Sequence, residues 1–123
     1  NLLDEYKIDH SNMVLDHSRS TIEKKRVVAS GQQLLRIDYQ DTGDVSEDVR
    51  DKVMELLFKQ VENNEVDAVI VEDYAKGLLS KRMLEELVDR AKDNDVKVVL
   101  DPHPGHPLHV KGLTLMTPNR NEA

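Results

Sequence analysis

Two short apolar runs that flank an amphipathic stretch constrain the fold more than any other feature of this sequence. The runs, Asp67–Asp73 and Lys97–Asp101, each close on an aspartate, and such runs are typical of strands buried on both faces of a parallel sheet. The stretch between them, Ser80–Lys92, spaces its apolar residues as one face of a helix. Those residues are Met83, Leu84, Leu87, Val88 and Ala91. A strand, a helix and a second strand predict a right-handed crossover between neighbouring parallel strands.

A further helix and a third strand extend this α/β pattern. Ser46, followed by two acids, is a typical helix start, because a hydroxyl caps the first turn and acids favour its positive end. This helix should end near Asn63-Asn64, and Leu113–Thr117 predicts the third strand. The predicted buried face of the helix consists of Val49, Val53, Leu56, Leu57 and Val61.

A hairpin outside the parallel pattern completes the predicted organisation. Thr21–Ala29 and Gln33–Tyr39 mix β-branched, apolar and polar residues around Ser30-Gly31-Gln32, which suits a hairpin turn. We therefore divide the chain into residues 1–16, 17–44 and 45–123. The first part is a helix end and a short strand around Met13-Val14-Leu15, the second is a β-hairpin lid, and the third belongs to an α/β core.

Composition argues against several classes of protein. A formal net charge of -7, with Lys and Arg interspersed among acids, disfavours a nucleic-acid reader. The absence of cysteine removes disulfides and thiol nucleophiles and is compatible with a cytoplasmic location. No apolar run approaches the length of a membrane span. Because the chain opens without Met and stops where a new helix should begin, we expect an excerpt of a longer protein, with a trimmed complete domain as the alternative.

Polar residues follow each predicted strand of the sheet, at the place where open α/β sheets bind their ligands. The three clusters are Asp73–Gly77, Asp101–His103 and Thr117–Glu122. We expect them on one rim, because the carboxyl ends of parallel strands meet at the same edge. A carboxylate, an ammonium and a helix-start amide on one edge suit a metal-bound phosphate and a polyol.

Each cluster also has a purely structural interpretation. Asp73 and Asp101 are suited to capping the turns after their strands. Lys76 is equally suited to a solvated loop. Asn119 is a good helix N-cap, with Glu122 completing a capping box.

Three histidines in one loop raise the question of a zinc site. They are His103, His106 and His109, and prolines are interleaved among them. Because three nitrogen ligands need a convergent geometry that this pattern does not indicate, a solvated loop is favoured.

The order of the rim motifs resembles the PfkB, or ribokinase-like, carbohydrate kinase family. The motifs are Asp-Tyr-x-Lys-Gly at 73–77, Asp-Pro at 101–102 and Thr-Pro-Asn-x-x-Glu at 117–122. Within that family, the stretches Thr21–Val27 and Gln32–Asp38 are similar to the heptose-7-phosphate kinase half of the bifunctional heptose enzyme. The resemblance covers nearly the whole chain. It implies the middle portion of a ribokinase-like fold, with the hairpin as part of a substrate lid.

The resemblance implies that the parent protein transfers the γ-phosphoryl group of ATP to a sugar or sugar phosphate. It favours heptose 7-phosphate, in the synthesis of surface-polysaccharide precursors, over the ribose or fructose of other sugar kinases. Asn119, Arg120, Asn121 and Glu122 match the family's Asn-x-x-Glu motif, which helps to place the nucleotide phosphates and Mg²⁺. Glu122 is the expected metal residue, since a hard carboxylate suits Mg²⁺.

Five cationic or acidic residues are expected at the sugar site. The resemblance places Asp73 and Lys76 near the sugar and the transferred phosphate, where a cation offsets the charge of the phosphoryl oxygens. Lys24, Arg26 and Arg36 of the lid are candidates for binding the 7-phosphate, because Arg contacts phosphate oxygens bidentately. Outward-facing strand charges are the alternative for these three.

The sequence departs from the family pattern at two places, which limits what the resemblance implies about the sugar and about catalysis. Heptose kinases usually show Asp-Pro-Lys-Gly where this chain has Asp101-Pro102-His103-Pro104, so the exact sugar stays open, and Asp101 is expected only to organise the rim. The family's Gly-Ala-Gly-Asp motif, which carries the general base, is not found in the 123 residues. The isolated chain is therefore expected to be inactive. A non-catalytic module that folds or dimerises through the exposed hairpin edge is the competing hypothesis.

Overall fold

The chain forms a three-stranded parallel sheet, two long helices and a separate hairpin in a computed structural model that describes residues 2–41 and 43–120. The helices are α1 (Leu2–Glu5), α2 (Glu47–Glu62) and α3 (Lys81–Asp93). The strands are β1 (Glu23–Ala29), β2 (Gln32–Tyr39), β3 (Ala68–Glu72), β4 (Lys97–Asp101) and β5 (Leu115–Met116). The parallel sheet has the order β3-β4-β5, and β1 pairs with β2 in antiparallel fashion. The predicted α/β fold with an added hairpin is confirmed.

Serine caps fix the starts of the two long helices. The Oγ of Ser46 accepts the N–H of Val49 at 3.4 Å, and the Oγ of Ser80 accepts the N–H of Met83 at 3.2 Å. Each bond satisfies an amide that the first helical turn leaves without an internal partner. Helix α2 ends at Glu62, directly before the predicted stop.

The core lies between the helices and one face of the parallel sheet. All five residues of the stripe predicted for α3 are buried. On α2, Val61 is buried as predicted, but Met54 and Phe58 are buried as well, whereas Val49 is only half-buried. The buried side of α2 is rotated toward α3, where the Arg90 guanidinium lies 3.9 Å from the centre of the Phe58 ring.

The prediction that β3 is buried on both faces is wrong. Ile70, Val99 and Leu115 stand side by side across the three strands, yet Ile70 is 69% exposed and Leu115 is 54% exposed. The helices cover the opposite face, to which Val71 and Val98 contribute. An unbroken apolar run shows that both faces of a strand are apolar, but it does not show that both are covered.

Two other strand predictions need correction. No strand forms around Met13-Val14-Leu15, since the sheet pairings among the described residues involve only β1 to β5, and a strand without a partner leaves its backbone groups unsatisfied. Met13 and Leu15 are exposed instead. The third strand is restricted to β5, although hydrogen bonds from the Thr114 and Thr117 amides to β4 carbonyls continue the contact on both sides.

The hairpin turns through two residues with left-handed backbone, Ser30 at φ 50° and Gly31 at φ 77°. Positive φ at both central residues is the geometry that matches the twist of paired strands. The cross-strand register, with one bulge after Val27, separates two surfaces. One surface, here called the apolar face, carries Val27, Leu35, Ile37 and Tyr39 together with the charged Glu23 and Lys25. The other, the basic face, carries Lys24, Arg26, Arg36 and Asp38. Every residue of β1 and β2 is exposed.

No helix within residues 2–41 and 43–120 is both long and apolar enough to cross a membrane.

The loop after β3 is locked against the segment before α2. The carbonyl of Gly77 accepts the N–H of Val45 at 3.0 Å, and Arg50 donates to the carbonyls of Gly77 and Leu78 at 3.0 and 3.1 Å. Gly77 has φ 82°, and a Cβ at this position would lie 2.6 Å from the Gly43 carbonyl oxygen. Only glycine fits this approach without moving backbone.

Replacement of Gly77 by alanine should therefore destabilise the fold. We expect Gly77→Ala to lower the free energy of unfolding by more than about 2 kcal/mol, because left-handed strain and a backbone clash act together. The matched control is Gly31→Ala, at φ 77° with no atom within 4 Å of the added Cβ, which should cost only about 1 kcal/mol. Urea unfolding of the 123-residue chain measures both. Equal losses for the two variants would contradict the close approach at Gly77.

Candidate functional site

The three polar clusters after the strands meet at one edge of the sheet. The backbone N–H of Asp73 donates to the Asp101 carbonyl at 3.0 Å, and the Thr117 hydroxyl donates to Asp101 Oδ1 at 2.7 Å. These bonds connect the loops after β3, β4 and β5. Asp101 thus ties the rim together, the role expected for it from the sequence.

The carboxylate of Asp73 is buried, with its side chain only 3% exposed. Its Oδ1 accepts the N–H of Ala75 at 2.8 Å, and its Oδ2 lies 2.6 Å from Nδ1 of His106. The first bond makes a tight turn in which Ala75 takes a positive φ of 51°. Asp73 therefore shapes the loop that leads to Lys76, which agrees with the capping interpretation without testing direct contact with substrate.

His106 comes from a folded loop rather than a solvated one. The His106 N–H donates to the His103 carbonyl at 2.9 Å, and the Gly105 N–H donates to Nδ1 of His103 at 3.1 Å. In the ranges 2–41 and 43–120, no group of three or more His, Cys, Asp or Glu residues is placed to hold a metal ion. The arrangement favours a pairing of His106 with Asp73 over a zinc site.

Lys76 connects the rim with the hairpin. Its Nζ donates to Oε1 of Gln40, directly after β2, at 2.6 Å. Arg19, in front of the hairpin, donates to the carbonyls of Lys76 and Asp41 at 3.1 and 2.9 Å. Both ends of the hairpin are thereby held close to the loop after β3.

The basic face of the hairpin contains one strong ion pair. Arg36 donates to both carboxylate oxygens of Asp38, at 2.7 and 3.0 Å. This bidentate hydrogen bond, together with the nearby charges of Lys24 and Lys76, holds the pKa of Asp38 below its ordinary value. Asp38 is therefore ionised at neutral pH. It offsets one of the cations of this region, and an excess of positive charge remains around it.

A cavity of about 260 Å³ lies where the hairpin base meets the rim. Lys24, Asp73 and Lys76, which are far apart in the sequence, all line it. Its wall also includes Glu72 and Tyr74. Three of the five predicted sugar-site residues are therefore brought together. Arg26 and Arg36 do not line the cavity but share the basic face with Lys24.

Tyr74 and Glu72 form a hydrogen-bonded pair in the wall of the cavity. The Tyr74 hydroxyl donates to Oε2 of Glu72 at 3.1 Å. That hydrogen bond and the negative charge of Glu72 raise the pKa of Tyr74 above its ordinary value, so the phenol stays protonated at neutral pH. With that hydrogen engaged, the Tyr74 oxygen and the free lone pairs of the Glu72 carboxylate present acceptors for the hydroxyl groups of a sugar.

The predicted nucleotide motif is only partly described. Asn119 and Arg120 follow β5 on the rim and are exposed. Asn121 and Glu122 lie outside the described residues, so the predicted Mg²⁺ residue has no structural description.

Three residues that position the site are missing from the sequence prediction, namely Arg19, Arg50 and His106. Arg19 and Arg50 donate to the three consecutive carbonyls of residues 76–78. Arginines that bind distant backbone carbonyls leave no local pattern, because their partners are set by tertiary structure. For His106 the sequence contains one indication of a role at the site, because its histidine-rich loop directly follows the Asp101-Pro102 motif.

The chain is similar over nearly its full length to proteins named bifunctional protein HldE. It is 34% identical over 122 residues to that of Aliarcobacter butzleri, 33% identical over 122 residues to that of Sulfurimonas denitrificans, and 34% identical over 116 residues to that of Geobacter sulfurreducens. These alignments cover 99%, 99% and 94% of this chain, and 25%, 25% and 23% of the relatives. The chain thus spans about a quarter of the length of the relatives it matches. No family model matches it.

The predicted resemblance to the bifunctional heptose enzyme is confirmed by these relatives. The wider resemblance to the PfkB family stays a prediction.

Proposed function

We propose that this chain is part of an ATP-dependent sugar kinase that phosphorylates heptose 7-phosphate. The observation that carries the proposal is the cavity in which Lys24 of the hairpin and Lys76 of the rim line one space. The two ammonium groups can donate to phosphate oxygens from separate elements, and the formal charges of Glu72 and Asp73 in the same wall offset theirs. The similarity to HldE proteins supports the same assignment.

The basic face of the hairpin is proposed to hold the 7-phosphate of the substrate. Arg26 and Arg36 are cross-strand partners, so their guanidinium groups approach a common anion from two strands. Lys24 lies on the same face and also reaches the cavity. Glu72 and Tyr74 are proposed to bind hydroxyl groups of the sugar, which fixes its orientation for transfer.

Lys76 is proposed to stabilise the transferred phosphoryl group, whose oxygens carry the developing charge. Asp73 is proposed to contribute to this site through the turn that presents Lys76. The hairpin is proposed to act as the lid, since closure over the rim excludes water from the transfer. Its attachment at Gln40 and Arg19 keeps the lid base in place.

The nucleotide is proposed to bind at the end of the rim formed by the loop after β5. The exposed Arg120 guanidinium and Asn119 amide are suited to the phosphates of ATP. Glu122, outside the described residues, is proposed to help bind Mg²⁺. When bound, the nucleotide supplies the phosphoryl group.

The complete reaction is a proposal for a parent protein longer than this chain. The general base is proposed to come from a part of the parent beyond these 123 residues. The reaction is proposed to be a step in the synthesis of surface-polysaccharide precursors and to occur in the cytoplasm.

A coupled assay of ADP release by the full-length parent tests the proposal. We expect turnover with heptose 7-phosphate and much less with ribose or fructose, which lack the phosphate that the basic face would bind. Equal or greater activity on ribose or fructose would favour another sugar kinase. No activity on any of the three sugars would contradict the kinase assignment.

A single substitution on the basic face should weaken substrate binding in the same assay. We expect Arg26→Gln to raise KM for heptose 7-phosphate by about tenfold, since it removes one charge-assisted hydrogen bond. The matched control is Lys25→Gln, because Lys25 neighbours Arg26 but lies on the opposite face, with its Nζ 4.9 Å from the centre of the Tyr39 ring. An unchanged KM in Arg26→Gln, or equal effects of both variants, would contradict phosphate binding by this face.

A second candidate function, pairing of two copies through the hairpin, is favoured by its exposed apolar face. Leu35 is 49% exposed and Tyr39 is 52% exposed, and apolar residues in such a cluster are suited to a protein interface. Under this proposal the module dimerises, with or without catalysis by the parent.

Introducing a charge into the apolar face should separate the copies. We expect Leu35→Asp to weaken dimerisation at least about a hundredfold, because a carboxylate would be buried without a partner. Gln33→Asp places the same charge near the turn on the opposite face and should leave the dimer intact. Sedimentation equilibrium measures both, and a wild-type chain that stays monomeric at high concentration would contradict pairing.

A further inference from the structure

The carboxylate of Asp73 is buried, and each of its two oxygens has a hydrogen-bond partner within the protein. It is almost inaccessible, and its two oxygens contact the Ala75 amide and the His106 ring. A buried carboxylate with only one of these partners would lack part of the compensation for its desolvation. The contact with His106 therefore compensates the burial of the carboxylate that makes the turn at residues 73–75.

His106 is held in place for this contact by its own loop. Its amide bonds to the His103 carbonyl, and His103 and His106 form a bridge between the two sides of the loop. The side chain is 34% exposed, so one ring edge meets Asp73 while the remainder reaches the surface. A short hydrogen bond from a ring N–H to a carboxylate is of the charge-assisted kind, because the acceptor is an ion.

His106 acts at a distance from the substrate cavity. It is absent from the described residues that line the cavity, whereas its partner Asp73 is among them. Lys76 directly follows Ala75, whose amide donates to Asp73. The Lys76 ammonium donates to Gln40 and so connects the rim to the lid. The contacts thus form a continuous path from His106 through Asp73 and Ala75 to Lys76.

We propose that His106 is a positioning residue that orients the buried Asp73 carboxylate and so fixes the loop that presents Lys76 to the cavity. A basic residue from the loop after β4 is here used to hold the loop after β3. The consequence for catalysis rests on the proposed function, whereas the structural coupling does not.

Amide hydrogen exchange in the 123-residue chain tests the coupling without any assay of activity. We expect His106→Leu to speed exchange of the Ala75 amide about tenfold, because Asp73 loses a charge-assisted hydrogen bond that orients it. His106→Asn should restore the slow rate, because its amide nitrogen occupies nearly the place of Nδ1. His109→Leu, an exposed histidine of the same segment, should have no effect.

The reach of the side chain provides a further comparison if His106→Leu does not fold. His106→Gln carries the same amide as His106→Asn but displaces it by one methylene, so it should behave as a loss variant. Equal Ala75 exchange in the Asn and Gln variants, or no change in a folded Leu variant, would overturn the coupling.

Steady-state kinetics of the full-length parent separate positioning from a merely structural role. We expect His106→Leu to lower kcat by about tenfold with KM for heptose 7-phosphate within about twofold, because Lys76 is proposed to act on the transferred phosphoryl group, and His106→Asn to restore kcat. Faster exchange with unchanged kcat would overturn positioning at the site. Absence of activity in the wild-type parent would contradict the proposed function but leave the exchange result standing.

Discussion

The parallel pairing of β3 with β4 is the constraint on which the rest of the structure depends. Five consecutive residue pairs, from Ala68 with Lys97 to Glu72 with Asp101, set the register. Because the strands run in the same direction, both end at the same edge, and the loops that follow are joined by the Asp73 amide and the Asp101 carbonyl. A shift of the register by one residue would move Asp73 along the strand direction relative to the loop after β4 and separate it from His106. The candidate site is thus a consequence of strand register.

The hairpin contributes a cluster of cations, Lys24, Arg26 and Arg36, on one of its faces, although the chain as a whole has a net charge of -7. Its antiparallel register places Arg26 opposite Arg36, and two like charges at this position repel unless an anion lies between them. Asp38 partly fulfils this need through Arg36. A phosphate group would fulfil it more completely, which gives the proposed substrate a physical reason beyond similarity to HldE proteins.

Local sequence patterns predicted the elements that depend on local forces. The serine caps, the α3 stripe and the hairpin turn each follow from residues within one or two turns of chain. The exposure of Ile70 was not predicted, because coverage of a sheet face depends on elements that local periodicity does not identify. The contacts of Arg19 with Lys76 and of His106 with Asp73 were also missed, since each joins residues more than thirty positions apart. Sequence motifs placed Lys24 and Lys76 in one site, but the structure alone gives the cavity between them.

The most direct test of the central claim is an NMR titration of the nitrogen-15-labelled 123-residue chain with heptose 7-phosphate. The claim is that the hairpin and the rim form one site for an anionic sugar. We predict saturable shifts of the Lys24, Tyr74 and Lys76 amides with a common midpoint, and a much higher midpoint for heptose without the phosphate. Shifts confined to the apolar face of the hairpin, or no saturable shift at these three amides, would contradict it.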